Sequence, residues 1–178
     1  MNRCTVVAVL RTITGFHVDD AGGPVAELSC RHRQHVRHAP PFRVRPWVNT
    51  PEGRAAHVGA ELNCPLCDRA ELPDGLHAIR TAGPFDARTL PPGLRRPHRL
   101  AEATWGVLRV LDGTLRLTIE TAPPADITLQ AGDAQPIPPT VLHQVHLEQA
   151  TIAIDLLGTP NRSGPEDSAI SEADKPIS

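Results

Sequence analysis

Cys64-Pro65-Leu66-Cys67 and, upstream of it, Cys30-Arg31-His32 are the two stretches that decide the fold of the first part of this 178-residue chain. A Cys-x-x-Cys pair folds into a tight turn that offers both sulfur atoms to one metal ion, and a distant Cys/His pair completes a tetrahedral set. The spacing predicts a zinc site formed by Cys30, His32, Cys64 and Cys67. Four protein ligands close the site, so we expect a structural rather than a catalytic zinc ion.

The fourth ligand is less constrained than the three cysteines. Three histidines of one short segment are candidates. We prefer His32, with His35 as the main alternative and His38 as the third choice. The histidines that do not bind the metal are expected at the surface or beside the ligands. Three thiols packed in a small metal-free core form the competing interpretation. Cys4 is left over, and we expect it to be an ordinary buried or terminal cysteine.

The composition limits the class of protein. The chain has 18 Lys and Arg against 20 Asp and Glu, a net charge of -2, which gives no general affinity for nucleic acids or membranes. No apolar run reaches the roughly 18 residues that span a bilayer, and Val6 to Leu10 is too short for a signal-peptide core. We therefore expect a cytoplasmic protein, where reduced thiols favour metal binding over disulfide bonds.

The chain changes character near residue 70. Residues 1–70 contain all four cysteines and carry nine Arg against six acids, whereas residues 71–158 carry seven Arg against ten acids. The segment from Asp68 to Gly75 is typical of a short linker. We predict a zinc-binding module at 1–70, a β-barrel at 71–158 and a disordered tail at 159–178, which is rich in Pro, Ser and Glu.

The first module is predicted to be a small α+β unit. Val6 to Thr14 and Val25 to Leu28 form a hairpin that delivers Cys30. Thr50 is a suitable N-cap for a helix that begins at Pro51 and runs to about Leu62, directly before the Cys-Pro-Leu-Cys stretch. Because a module of this size buries little apolar surface, a bound metal would contribute directly to its folding free energy.

A basic segment follows the first cysteine. Arg31 to Arg45 contains five Arg, three His and no acidic residue. Such a segment suits a nucleic-acid or anion-binding face, although a solvated surface around the metal is the more common outcome. Phe42 and Trp47 have the rings needed to stack on bases, but in so small a module we expect both in the core.

The first module resembles the bacterial domain-of-unknown-function family 3565, a Cys/His-rich zinc-binding type. The resemblance covers about residues 11–68, and the family usually has Gly where this chain has Arg31. It implies a fold rather than an activity. The residues that carry it are Gly15-Phe16-His17, Val25 to Cys30, His32, Gln34 to His38, Pro40-Pro41, Arg45 to Val48, Glu52-Gly53-Arg54 and Cys64 to Asp68.

The second module is predicted to consist of short strands separated by turns. Asp112-Gly113 is typical of a hairpin turn, and the other boundaries contain Gly or Pro. This pattern predicts a barrel or sandwich of the jelly-roll type. The predicted strands are Trp105 to Leu111, Leu115 to Thr121, Ile127 to Leu129, Gln135 to Ile137, Val141 to Leu147 and Thr151 to Leu157.

The order of Gly132, Pro138 and His143 resembles the second sequence motif of cupins, and Asp112-Gly113 resembles the end of the first. Cupins often hold a metal through two His and one Glu of the first motif and one His of the second. The resemblance therefore implies a cupin-like jelly-roll barrel with His98 and His143 as candidate site residues.

The match to that ligand set is partial. Leu100 lies where the second His of the first motif would be, and Gly106 where its Glu would be. Glu102 is a candidate displaced carboxylate. The resemblance thus implies either a second divalent metal with open coordination positions, or no metal and a pair of hydrogen-bonded histidines, His98 and His143, that line an apolar pocket.

A further resemblance is to the TehB/YeaR-like cupin domain associated with tellurite resistance, over about residues 72–158. In TehB-type proteins this domain precedes a methyltransferase. Here we expect a tail after it instead, so tellurite methylation is not implied. The residues that carry the resemblance are Leu72-Pro73, Arg80-Thr81, Phe85, Leu94, His98, Thr104 to Gly106, Val110-Leu111, Gly113, Leu115, Pro138 and His143.

Three functions remain open from the sequence. The first is a binding protein whose cupin takes a small molecule, an oxyanion or a metal, in a tellurite or other toxic-anion stress response. The second is a metal-dependent cupin enzyme of the oxygenase or isomerase type, using His98, His143 and Glu102. The third is a regulatory adaptor that binds nucleic acid or protein through the basic zinc module. We also expect a homodimer and no membrane association, and the net charge makes nucleic acid the less favoured partner.

Overall fold

The computed structural model describes residues 8–159 of the chain. The expectations for Cys4 and, apart from its first residue, for the tail at 159–178 lie outside the described residues. Two regions rich in antiparallel strands follow one another, with short helical turns only in and between them. The predicted fold class, a mainly β protein with a small α+β module before a jelly-roll barrel, is confirmed.

A four-stranded antiparallel sheet forms the first region, in the order β3-β2-β1-β4. Asp19 shapes the turn between β1 and β2, because its carboxylate accepts hydrogen bonds from the backbone N–H groups of Ala21 and Gly23. The elements are β1 (Leu10–Val18), β2 (Pro24–Leu28), β3 (Arg33–His35), a 3-10 helix (Pro46–Asn49), α1 (Pro51–Ala55), β4 (Glu61–Asn63) and α2 (Pro65–Asp68).

The helix predicted from Pro51 to about Leu62 is wrong beyond Ala55. Its start is as expected, since the Thr50 hydroxyl accepts a hydrogen bond from the Gly53 N–H at 3.0 Å. After Ala55 the chain turns, with Gly59 at a φ of +91°, and Glu61–Asn63 then pairs with β1. Hydrogen bonding to this neighbouring strand outweighs continuation of the helix, so a strand rather than a helix leads into Cys64.

The second region is a single sheet that bends into two layers. The elements are β5 (His77–Phe85), a 3-10 helix (Pro92–Arg95), β6 (Trp105–Ile119), β7 (Ala125–Gln130), β8 (Ala134–Ile137) and β9 (His143–Gly158). The strand order is β5-β9-β6-β7, and β8 pairs with the first half of β6. Strands β6 and β9 pair over almost their whole length and therefore extend through both halves of the barrel.

The hairpin predicted at Asp112-Gly113 is wrong, because β6 continues through it as a bulged strand. The register against β9 shifts on either side of Gly113, which has a φ of +76°. Buried positions on β6 change from even numbers, such as Leu108 and Val110, to odd numbers, such as Leu115. The extra residue of the bulge thus keeps apolar side chains directed into the barrel on both sides of the bend. The two strands predicted at 141–147 and 151–157 are likewise one strand, β9.

The barrel core is continuous and aliphatic. It contains side chains from β6, β7, β8 and β9 together with Leu90 from the connection after β5 and Val141 from the loop before β9. The buried members are Leu90, Leu108, Val110, Leu115, Leu117, Ile119, Leu129, Ile137, Val141, Val145, Ala150 and Ile152.

The two aromatic residues of the basic segment differ in their environments. Trp47 is half-buried and its ring stacks on that of His57, with centroids 3.8 Å apart. Phe42 is 92% exposed, so the prediction that it belongs to the core is wrong. Phe42 follows two prolines in a short loop whose ends, Ala39 and Arg43, hydrogen-bond to each other and not to the sheet. The ring therefore has no surface to pack on.

None of the helices between residues 8 and 159 reaches the length and apolarity required to cross a bilayer.

The bulge can be tested by substitution at Gly113. A Cβ at this position would lie 1.9 Å from the carbonyl oxygen of Gln149 on β9, so Gly113→Ala combines a left-handed backbone with overpacking. We expect a loss of roughly 3 kcal/mol in the free energy of unfolding. Gly132 also has a positive φ but no neighbour within 4 Å of its Cβ position, so Gly132→Ala should cost only about 1 kcal/mol. Chemical denaturation measures both, and equal losses would contradict the steric account.

Candidate functional site

The structure brings the four predicted ligand residues into one buried cluster. Ligand atoms of Cys30, His32, Cys64 and Cys67 all lie within 4.8 Å of one another. The Nδ1 atom of His32 is 3.4, 3.3 and 3.6 Å from the sulfur atoms of Cys30, Cys64 and Cys67, and the Cys30 and Cys64 sulfurs are 3.8 Å apart. Tetrahedral zinc with the usual bond lengths separates sulfur from nitrogen by about 3.6 Å and sulfur from sulfur by about 3.8 Å. The donor set therefore fits zinc in size and chemistry.

The turn after β2 presents Cys30 and His32. Leu28 and His32 are joined by a backbone hydrogen bond of 3.0 Å, and Arg31 between them has a φ of +73°. Glycine is the residue best suited to this left-handed conformation, since any side chain costs about 1 kcal/mol at such a φ. Arg31 tolerates the strain because the turn is fixed on both sides.

The Cys64–Cys67 turn is anchored to the chain that precedes β1. The backbone N–H of Asp68 donates to the Cys64 carbonyl at 3.1 Å, which closes the turn of α2. The Asp68 side chain accepts a hydrogen bond from the Val9 N–H at 2.8 Å, and the Cys64 N–H donates to the Val9 carbonyl at 3.0 Å. Val9, in the segment before β1, thus fixes both ends of the turn.

The cluster competes internally for protons. Burial acts to lower the pKa of His32, but hydrogen bonds and charges of Cys30 and Cys64 outweigh it and raise the pKa to about 9. Hydrogen bonds with Cys30 and Cys67 hold the pKa of the Cys64 thiol far below its usual range, while those with Cys30 and Cys64 raise the pKa of Cys67. A divalent cation would replace the protons that hydrogen-bond these four side chains to one another, and all four groups could then bind it in their deprotonated forms.

Arg11 connects the cluster to the barrel, and the sequence interpretation missed this role. Its side chain is buried, and Nε donates to the Cys67 sulfur at 3.3 Å. Nη1 and Nη2 donate to the Thr140 hydroxyl and the Pro139 carbonyl, both at 2.7 Å. The only signal in the sequence was that Arg11, a charged residue, directly follows the apolar run from Val6 to Leu10 and ends it.

Trp105 also contacts the cluster, although it begins strand β6 of the barrel. Its ring is fully buried, and Nε1 donates to the Cys30 carbonyl at 2.9 Å. The indole lies edge-on to the His32 ring, with centroids 5.4 Å apart. Trp105 accordingly belongs to the core of the first module rather than to that of the barrel.

The other two histidines considered as ligands lie outside the cluster. The His35 side chain is 54% exposed, and its Nδ1 is 3.4 Å from the Asp19 carboxylate. His38 accepts a hydrogen bond at Nδ1 from the Arg45 N–H at 2.8 Å.

In the barrel, His98 and His143 are neighbours. Their backbones exchange two hydrogen bonds of 3.0 Å, and their ring centroids are 4.1 Å apart. The Nδ1 atom of His143 is 3.0 Å from the Val141 carbonyl, and that of His98 is 2.9 Å from the Arg96 carbonyl. Because a carbonyl only accepts, both Nδ1 atoms carry the proton when the rings are neutral. Each Nε2 is then an acceptor, without a hydrogen-bond partner among residues 8–159.

Both rings line a cavity of about 590 Å³ within the barrel. Its walls are mainly aliphatic and come from the connection before β6 and from strands β5, β6, β8 and β9. Arg80 and Arg99, which are both exposed, also border it. Glu102 is not among its lining residues; it is exposed and borders a separate depression beside Arg31. The structure therefore brings His98 and His143 together without the carboxylate.

Leu100 and Gly106, which the sequence resemblance aligned with two cupin ligand positions, lie against each other. A Cβ on Gly106 would lie 2.9 Å from Cδ1 of Leu100, and both residues line the cavity. The Leu100 side chain thus occupies the space where a side chain at position 106 would begin.

Both parts of the chain match known family models. Residues 14–71 match the family described as "Protein of unknown function (DUF3565)". Residues 80–156 match the TehB-like domain. The two resemblances stated from the sequence are therefore confirmed, and the chain is a two-module protein with a buried Cys/His cluster that can hold a metal ion.

Three solved structures are each similar to about half of this chain. A protein from E. coli strain K12 is 21% identical over 51% of this chain and 97% of its own, with a TM-score of 0.45. TehB from Haemophilus influenzae is 18% identical over 48% of this chain, with a TM-score of 0.44, and the chain spans only 32% of TehB. A cupin protein from Bacteroides fragilis is 16% identical over 56% of this chain and 74% of its own, with a TM-score of 0.30. The comparison with curated proteins gives no match.

The choice between His32 and His35 as metal ligand can be tested by elemental analysis. We expect the purified full-length chain to retain about one zinc ion after dialysis against a chelator. His32→Ala should lose that metal, because it removes the only nitrogen donor in the cluster. His35→Ala, the matched control, should retain it. Loss of zinc from the His35 variant alone would overturn the assignment.

His143 predicts a pH dependence of stability. Burial, with a smaller effect of His98, lowers its pKa from 6.5 to about 4 despite the hydrogen bond to Val141. The unfolded chain therefore binds this proton more readily, so stability is fully present above pH 6.5 and is lost as the pH falls toward 4.

We expect His143→Gln to remove about 2 kcal/mol of the stability difference between pH 7 and pH 4.5. His146→Gln is the control, since that ring contacts the Thr118 hydroxyl. Denaturation at the two pH values measures the effect, and identical pH profiles for wild type and His143→Gln would show that His143 is solvated.

Proposed function

We propose that this protein is a small-molecule-binding cupin whose first module is held together by a structural zinc ion. Cys30, His32, Cys64 and Cys67 would bind the zinc, which supplies folding energy and no open coordination position. The ligand would bind in the cavity next to His98. We further propose a cytoplasmic location, where the thiols stay reduced.

One observation carries the proposal: the cavity is mainly aliphatic and holds two neighbouring imidazoles, with Thr104, Arg80 and Arg99 as its other polar lining residues. Cavities of this size with aliphatic walls and a few convergent polar groups are typical of small-ligand sites. The free Nε2 atoms of His98 and His143 would accept a proton from a hydroxyl or carboxylic acid group. Arg80 and Arg99 at the border favour a ligand with negative charge.

The cavity supports a binding function better than a metal-dependent reaction. Within residues 8–159, the Cys/His cluster is the only set of three or more His, Cys, Asp or Glu side chains close enough to hold a metal. The pair in the barrel supplies two nitrogen ligands, whereas catalytic sites usually have three protein ligands. A weakly bound divalent metal between His98 and His143 is the alternative that would restore the enzyme hypothesis.

The match to the TehB-like domain supports a role in tellurite or toxic-anion stress. The aliphatic walls, however, give a small hydrated oxyanion few of the hydrogen bonds that it would lose on leaving water. We therefore propose an organic acid with an apolar body as the ligand class, and place inorganic tellurite second.

Calorimetric titration tests the ligand class directly. Octanoate, octanol, tellurite and Ni²⁺ would each be titrated into the full-length, zinc-containing protein. We expect octanoate to bind more tightly than octanol, with uptake of one proton from the solvent because a carboxylate has none to donate to Nε2, and tellurite to give no heat. His143→Gln should weaken octanoate about tenfold, which corresponds to one hydrogen bond with a charged group. His146→Gln should not change the affinity.

A cavity-filling variant separates the site from surface binding. Ile154 lines the cavity on β9, so Ile154→Trp should abolish octanoate binding while both histidines remain. Thermal melting would verify that the variant is folded. Octanoate affinity unchanged in Ile154→Trp would contradict the proposal, tellurite binding abolished by His143→Gln would favour the oxyanion, and stoichiometric Ni²⁺ binding lost with His143 would favour the enzyme.

A further inference from the structure

A cross-linked loop of the first module lies between the two pairs of predicted metal ligands, Cys30/His32 and Cys64/Cys67. We call residues 37–45 the basic loop. Ala39 and Arg43 face each other across it and exchange two backbone hydrogen bonds of 2.8 Å. At its base, the Arg45 N–H donates to Nδ1 of His38, also at 2.8 Å. Three cross-links within nine residues, and two consecutive prolines whose rings fix φ, hold the tip in one shape.

The tip presents an aromatic ring to solvent. Phe42 follows the two prolines and is 92% exposed, and Val44, two residues later, is 69% exposed. The environment of Trp47 is different, since its ring is covered by His57 and meets Phe16 edge-on. Full exposure of a phenyl ring gives up about 2 kcal/mol of burial free energy, and no contact within the described residues compensates for it.

The flanks of the loop carry unpaired positive charge. Arg37 and Arg43 are exposed and Arg45 is partly so. None of the three forms an ion pair within residues 8–159, and the sequence has no acid between Arg31 and Arg45. A chain with a net charge of -2 therefore concentrates positive charge around one exposed aromatic ring.

We infer that the basic loop binds single-stranded nucleic acid, with Phe42 stacked on a base and Arg37, Arg43 and Arg45 contacting phosphates. Unpaired bases present flat faces at the spacing of a charged backbone, so a single ring flanked by guanidinium groups matches them. The apolar part of the loop consists of two side chains. That is small for a protein interface, which usually buries about 800 Å² on each partner, and for stable membrane anchoring, which needs two signals.

This surface is separate from the proposed ligand cavity. The basic loop belongs to the first module, whereas the cavity residues all follow position 78. Variants of the exposed basic-loop residues should therefore leave the cavity unchanged, so the two proposals can be tested separately.

Fluorescence anisotropy with labelled 20-mers of deoxythymidine and of uridine tests the inference on the full-length, zinc-containing protein. Phe42→Ala should weaken binding roughly 5- to 100-fold, the range of one base–aromatic stack. Phe42→Trp should restore it. With three phosphate contacts, raising the salt concentration from 50 to 200 mM should weaken binding about 20-fold. The two oligonucleotides distinguish DNA from RNA.

Arg43→Ala should weaken binding and reduce the salt dependence, whereas Arg88→Ala, an exposed arginine of the other module, should change neither. Because Phe42 packs on nothing, melting temperatures of the Phe42 variants should equal that of wild type. Absence of binding at 50 mM salt would overturn the inference. So would equal affinity of wild type and Phe42→Ala, or competition by polyglutamate or phosphatidylglycerol vesicles as effective as that by the oligonucleotides, since these polyanions offer no base to stack.

Discussion

The buried guanidinium of Arg11 is the interaction on which the joining of the two modules depends. A buried positive charge is tolerated only when it is paired and its donors are satisfied. Here Nε points at the Cys67 sulfur, and both terminal nitrogens bond to oxygens of the loop before β9. Three thiolates and a neutral imidazole around a divalent ion carry a net charge of -1, which Arg11 would balance. The charge of the metal cluster and the position of the barrel loop are thus linked through one side chain.

Trp105 adds a second connection of a different kind. It starts the longest pairing of the barrel but packs in the core of the first module, where its N–H satisfies the Cys30 carbonyl. The two family matches divide the chain between residues 71 and 80, yet the packing crosses that division. Disorder in the cluster would remove the environment of Trp105 and therefore loosen the first residues of β6. The boundary predicted near residue 70 therefore separates two family matches, while side-chain contacts across it join the two modules.

Local chemistry was predictable from the sequence, and long-range competition was not. The Cys-x-x-Cys spacing located the cluster, and turn residues located most strands of the barrel. The helix after Thr50 was predicted too long because its local pattern gave no sign that Glu61–Asn63 would pair with β1. Asp112-Gly113 has the residues of a hairpin turn, but a bulge needs the same left-handed glycine, and only pairing with β9 distinguishes them. The role of Arg11 could not be predicted because its partners lie more than fifty residues away.

Under the proposed cupin function, Leu100 and Gly106 together account for the absence of two metal ligands from the barrel. Removal of one ligand alone would leave the others converging on an incomplete site in an apolar cavity, where unpaired polar groups are costly. In this chain Leu100 stands at the proposed second histidine position, and Gly106, at the proposed glutamate position, leaves room for the Leu100 side chain. The two remaining imidazoles each satisfy Nδ1 with a backbone carbonyl and leave one acceptor. That arrangement suits a ligand that presents a proton to the remaining nitrogen atoms.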